Sequence, residues 1–238
     1  MPIAGQTRVF CGVRETETGR SLLVNPRGPV LSPAEGAALL EETERVLEQE
    51  HPAWLACCGS LARGLPTDFY ARVARLARER GVAFVPDGDD EALRRAVEVG
   101  CDLLVPNQHE AARLLGAPAP APDPVSVSEA AAAAAALRRW SPIACITLGA
   151  AGAVCAAPGG AWHAAPPADA AAGGSAVGAG DVFLAAFVLA RQAGAEPAEA
   201  LRRAVAAGTA VLAGQADQLV SRADAAALEP RVRLARVN

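Results

Sequence analysis

The 238-residue sequence contains no lysine: apart from three histidines, every basic side chain is one of 22 arginines. This reads as coding bias, and it removes the usual ammonium ligand from any phosphate site. With a net charge of −4 and no basic block, the chain lacks the cationic face that a nucleic acid requires. Aromatic residues make up only 4%. None of the six cysteines (Cys11, Cys57, Cys58, Cys101, Cys145, Cys155) forms a C-x-x-C pair, and the histidines stand apart from them, which argues against a zinc site. No run is long enough to span a membrane; the alanine-rich stretch Ala130–Leu137 ends in Arg138-Arg139. The opening residues MPIAGQTRVF hold no apolar signal segment, so the expected location is cytoplasmic.

What is present is apolar and aliphatic. Hydrophobic residues make up 52%, mainly alanine, valine and leucine, as expected for helices packed on a sheet. Cysteines in apolar runs such as Trp54–Cys58 and Ile143–Ile146 read as small core residues kept reduced. The length suits one α/β domain over 1–238, with about 5–30 outside the main layer and about 50–238 the core.

From Trp54 onward, short apolar runs alternate with amphipathic stretches. WLACC, VAFVPD, DLLVP and IACITL read as strands. Pro66–Arg80, with Thr67 as cap, Asp90–Val99, Gln108–Leu115 and Ser126–Trp140 read as helices. That order predicts a parallel sheet covered by helices. Residues 7–30 read as β-structure with a turn at Glu17-Thr18-Gly19, and 152–165 as an antiparallel hairpin turning at Pro158-Gly159-Gly160. Two long helices follow, about 179–194 and 197–213.

Chemistry concentrates in Gly173-Gly174-Ser175-Ala176-Val177-Gly178-Ala179-Gly180-Asp181, directly before the apolar helix VFLAAFVLA. Glycines ahead of a helix let backbone N–H groups converge on an anion, and the helix dipole favours negative charge there. An acid in the first turn is then placed to take a proton from a hydroxyl beside the phosphate; taken alone, the cluster reads as a glycine-rich loop with Asp181 as a helix cap. The loop is not a Walker A loop, having no G-K-[ST]. Thr147-Leu148-Gly149-Ala150-Ala151-Gly152 is a strand end with two glycines, where a nucleotide has room beside the backbone. Pro106-Asn107-Gln108-His109-Glu110 also follows a strand; alone, Asn107 is a helix cap and Glu110 a first-turn acid.

Taken together, VGAGDVFLAAF, GSLARG at 59–64, VPNQHE, TLGAAG and TRVFCGV at 7–13 resemble, in order and over nearly the whole chain, the PfkB family of ribokinase-like sugar kinases. The 1-phosphofructokinase and tagatose-6-phosphate kinase branch is the most similar. The resemblance implies a doubly wound, mostly parallel α/β sheet with helices on both faces and a β lid. It implies ATP as co-substrate, Mg²⁺ as cofactor and a sugar phosphate as acceptor: fructose 1-phosphate, tagatose 6-phosphate or fructose 6-phosphate. By position, Asp181 becomes the base and Gly178, Ala179 and Gly180 the anion hole for the transferred phosphoryl group. Thr147, Gly149 and Gly152 border the nucleotide. Asn107 and Glu110 position phosphates and, indirectly, Mg²⁺, while Arg8 and Ser60 contact the phosphate of the acceptor.

The sequence departs from the family pattern in several places. Val105 replaces the lysine of K-P-N, Ala62 a proline, and Asp87-Gly88-Asp89-Asp90 the D-T-S-G segment. The family's first strands, an early sugar-binding aspartate and a G-G-K-G-x-N segment have no counterpart, so the fold is expected to be N-terminally incomplete. Two functions follow: a sugar-phosphate kinase, self-associating as a homodimer, or a non-catalytic homologue that binds nucleotide or a partner protein.

Overall fold

A computed structural model describes residues 2–15, 17, 21–88, 90–118, 125–170, 176–214 and 220–237. The turn residues Thr18 and Gly19, the loop residues Gly173, Gly174 and Ser175, and Asp89 lie outside them.

The parallel part of the sheet pairs β3 (Trp54–Cys58) with β4 (Ala83–Asp87), Cys58 opposite Asp87. Beside β4, the segment 102–107 runs extended. The Asp102 N–H donates to the Phe84 carbonyl at 2.8 Å, and the Leu104 N–H to the Ile143 carbonyl at 3.0 Å. Parallel bridges join Leu104 to Ala144 and Asn107 to Thr147, at the two ends of β5 (Ala144–Thr147). The run DLLVP is therefore a bridging segment rather than a regular strand; Pro106 has no N–H to give the ladder. Beyond β5 the sheet becomes antiparallel, in the order β5, β6 (Ala153–Ala157), β7 (Gly160–Ala165) and β8 (Arg233–Val237).

Successive residues of these strands enter two separate cores, one on each face. Phe84, Leu104, Ala144, Ile146, Val154 and Ala156 belong to one core. Val85, Leu103, Val105, Cys145, Cys155 and Ala157 belong to the other. This two-residue period gives each face its own packed layer.

The first layer holds α2 (Phe69–Glu79), α3 (Asp90–Val99), α4 (Gln108–Leu115) and α5 (Val127–Leu137), with Leu47 of α1 (Pro33–Glu50). The second holds α6 (Ala179–Gln192) and α7 (Pro197–Ala213), with α8 (Arg222–Leu228) packed on α7. A capping box sets the start of α1: the Ser32 hydroxyl accepts from the Glu35 N–H at 3.2 Å, and Glu35 Oε2 accepts from the Ser32 N–H at 2.7 Å. Arg80, after α2, pairs with Glu44 and Glu48 and so fastens α1 to that layer.

Two helix boundaries also need correction. The helix after Pro66 begins at Phe69, with Asp68 and not Thr67 at its cap, because the Phe69 N–H closes a turn onto the Pro66 carbonyl. The helix from Ser126 ends at Leu137, and Arg138–Trp140 form a turn. The lid-like ribbon is β1 (Cys11–Arg14) antiparallel to β2 (Ser21–Val24); Thr7 and Arg8 precede it as extended chain.

Candidate active site

The carboxyl ends of β3 and β4, the 102–107 segment and β5 share one edge of the sheet, and Ser60, Asn107, Thr147 and Gly149 lie at or just beyond those ends. The α6 helix points its first turn at the same edge. Gly178 caps it in the left-handed region, with φ of 82°, and a β-carbon there would meet nothing within 4 Å. Only glycine takes this conformation without strain, and the space around it stays open to a ligand. Asp181 is the third residue of the helix and is exposed. On α7, Gly208 allows close approach, since a β-carbon there would lie 3.4 Å from the Ala179 carbonyl oxygen.

Opposite Asp181 stand two residues that the sequence reading passed over. One oxygen of Asp181, one of Asp87 and the sulfur of Cys58 lie within 4.8 Å of one another. Asp87, at the end of β4, is partly buried. Burial pushes its carboxyl up to about 6, and the charges of Glu110 and Asp181 push the same way. Partial burial of its sulfur, then the charges of the two aspartates, raise the thiol of the otherwise exposed Cys58 to about 11, so it stands protonated between them at neutral pH. Tyr70 closes this side: its hydroxyl donates to the Gly59 carbonyl at 3.1 Å, and burial, then Cys57, Cys58 and Asp87, raise it to about 12. The expectation that the cysteines are core residues holds for Cys101, Cys145 and Cys155; Cys11 and Cys58 are exposed. The signal for Asp87 was an acid closing an apolar strand at the edge where the other site residues emerge.

Asn107 and Glu110 form a reciprocal cap at the start of α4. Asn107 Oδ1 accepts from the N–H groups of His109 at 2.9 Å and Glu110 at 3.0 Å, and Glu110 Oε2 accepts from the Asn107 N–H at 2.9 Å. Both lone pairs of that amide oxygen are thus committed, while the Glu110 charge reaches Asp87.

Thr147, Gly149 and Gly152 border a cavity of about 170 Å³ whose far wall is Ala179 and Gly180 of α6 and Gly208 and Thr209 of α7. At Gly149, with φ of 58°, a β-carbon would meet nothing within 4 Å. Gly152 is different: a β-carbon would lie 2.0 Å from the Ala164 carbonyl oxygen, so packing against β7 already requires glycine there. Arg8 and Ser60 meet just past the carboxyl end of β3, with Arg8 Nη2 3.5 Å from Ser60 Oγ.

The carboxylates suit a hard cation better than the thiol does. Asp87, Asp181 and Glu110 crowd negative charge that a divalent ion would relieve, and Mg²⁺ takes oxygen ligands.

Known proteins share this fold. Phosphofructokinase-2 of Escherichia coli, in complex with potassium, superposes with a TM-score of 0.84 at 26% identity, over 95% of this chain and 71% of that one. A 1-phosphofructokinase of Rhodobacter capsulatus is 34% identical over 179 residues, 75% of this chain and 53% of that protein. A 1-phosphofructokinase of Bacillus subtilis (strain 168) is 29% identical over 114 residues, 48% of this chain and 36% of that protein. The chain thus spans about half, or less, of the length of these curated relatives. Residues 13–222 match the model of the pfkB family carbohydrate kinases, and the chain belongs to that family.

Proposed function

We propose that this chain carries the nucleotide and phosphoryl-transfer site of an ATP-dependent kinase whose acceptor is a hydroxyl of a sugar phosphate. Fructose 1-phosphate is the first candidate; tagatose 6-phosphate and fructose 6-phosphate follow. The observation that carries the reading is Asp181 in the first turn of α6, directly after Gly178-Ala179-Gly180 and facing Asp87.

In this reading the acceptor hydroxyl lies against the Asp181 carboxylate, which takes its proton as the oxygen attacks the γ-phosphorus. The bond from that phosphorus to the bridging oxygen breaks, and ADP leaves with the electron pair. The first-turn N–H groups of α6 face the phosphoryl oxygens, whose negative charge the helix dipole favours. Asn107 donates its side-chain amide toward the phosphates, since its oxygen is spent on the cap. Asp87 and Glu110 would hold Mg²⁺, which would neutralise phosphate charge. The adenosine part lies along Thr147, Gly149 and α7. Arg8 and Ser60 bind the phosphate that the acceptor already carries.

The test is Asp181→Asn. It should lower kcat by on the order of 10²–10⁴ while leaving the Kd for ATP within about twofold. A variant with near-normal kcat would remove Asp181 from the chemistry.

A further inference from the structure

A cavity of about 730 Å³, lined in part by the stretch 60–63 that follows β3, shares no lining residue with the cavity at Thr147 and Gly149. Its lining includes three arginines, Arg8, Arg27 and Arg63, together with Ser60, and no acidic side chain. Elsewhere the structure spends arginines on carboxylates, as at Arg45, Arg80, Arg94 and Arg202. Among the described residues no ion pair involves Arg8, Arg27 or Arg63.

Backbone contacts hold these arginines in one place. The Leu31 N–H donates to the Arg63 carbonyl at 2.8 Å. Gly64, with φ of 88°, lets the two segments touch: a β-carbon there would lie 2.1 Å from the Leu31 carbonyl oxygen. Arg63 Nη1 donates to the Gly28 carbonyl at 3.4 Å. The stem of Arg8 passes over the same glycine, whose β-carbon would lie 3.8 Å from Arg8 Cδ. Arg8 and Arg63 therefore converge on Gly28, and Arg27 is its chain neighbour. Like charges brought together without a counter-ion repel, and an anion with several oxygens relieves that repulsion through paired N–H donors.

Resting on the sugar-phosphate reading above, we infer that Arg27 and Arg63 join Arg8 in a three-guanidinium receptor for a dianionic phosphate, and that Arg27 sets the selectivity for a phosphorylated acceptor over the free sugar. The placement agrees with the chemistry. Ser60, on the receptor wall, is two residues from Cys58, hence within about 7 Å along the chain. The Cys58 sulfur is within 4.8 Å of an Asp181 oxygen. An acceptor anchored by its phosphate thus extends toward the base. Arg27 is the position to test because, unlike Arg63, it makes no hydrogen bond to the neighbouring loop among those of the described residues.

The experiment measures binding of fructose 1-phosphate and of fructose to the full chain by calorimetry, for wild type, Arg27→Gln, Arg27→Lys and Arg63→Gln, with thermal unfolding as a check on folding. Losing one charge-assisted pair corresponds to about 10–100-fold in affinity. Arg27→Gln should lower the preference for the phosphorylated sugar by that factor, Arg27→Lys should restore part of it, and added inorganic phosphate should compete in wild type. A folded Arg27→Gln that keeps the wild-type preference overturns the inference and leaves the kinase reading standing. A wild-type chain that binds the sugar phosphate no better than fructose overturns both.

Discussion

Replacing Asp87 by asparagine exchanges an acid that folding strains for a neutral group of the same shape, and it should make the folded chain more stable at neutral and higher pH. The carboxyl of Asp87 rises from 3.8 to about 6 on folding, first through burial and then through Glu110 and Asp181. Between those values the folded form keeps a proton that the unfolded chain has released, so stability falls as pH rises through the window, and above about 6 the full cost is present. Some 2 pH units at about 1.4 kcal/mol each sets that cost at about 3 kcal/mol. The assay is urea denaturation of both forms from pH 4 to 8 without divalent ions. Their difference cancels groups such as Glu91, whose pairing with Arg94 and Arg95 holds its carboxyl down at about 2. The advantage of Asp87→Asn should grow to about pH 6 and then level off. Mg²⁺ should raise the wild-type midpoint more than the variant's. A variant less stable than wild type at pH 8 would refute the electrostatic account of this edge.

Other expectations follow from packing and capping. Gly152→Ala drives a β-carbon into the Ala164 carbonyl at positive φ and should cost about 2–4 kcal/mol in the same denaturation assay. Ser32→Ala removes one half of the α1 capping box and should cost about 1 kcal/mol, with the loss seen first as hydrogen exchange in the first turn of α1. The β1–β2 ribbon exposes Val13, Leu22, Leu23 and Val24, each more than half exposed. Sedimentation should accordingly find dimers or larger species, and a clean monomer at micromolar concentration would count against this.

Helices with strong punctuation were legible in the sequence. Asp90–Val99 and Gln108–Leu115 run between the expected residues, and the hairpin at Gly159-Gly160 turns where its glycines demand. The α1 helix escaped notice even though Ser32-Pro33-Ala34-Glu35 spells its cap. The exposed strand β8 also escaped, because Arg233-Leu234-Ala235-Arg236-Val237 carries little burial signal. At the site, residues with a local signature were readable, as in Gly178–Asp181 and Asn107–Glu110. Asp87 and Cys58 were not, because their meaning arises only when parallel pairing sets the ends of β3 and β4 opposite α6. Arg27 and Arg63 are likewise 36 residues apart in sequence and acquire a common role only through Gly28 and Gly64.

The sheet is a partition, and its strands are read alternately by two rooms that share no air. Val154 faces one core and Cys155 the other, so chain neighbours there are energetic strangers, whereas Val154 and Ile146, on different strands, answer to the same packing. Truncations at adjacent positions of β6 should therefore add independently, while truncations across the ladder on one face should couple. Evolution can repack the layer behind the nucleotide side, α6 with α7, while leaving untouched the layer that holds α1 and α2.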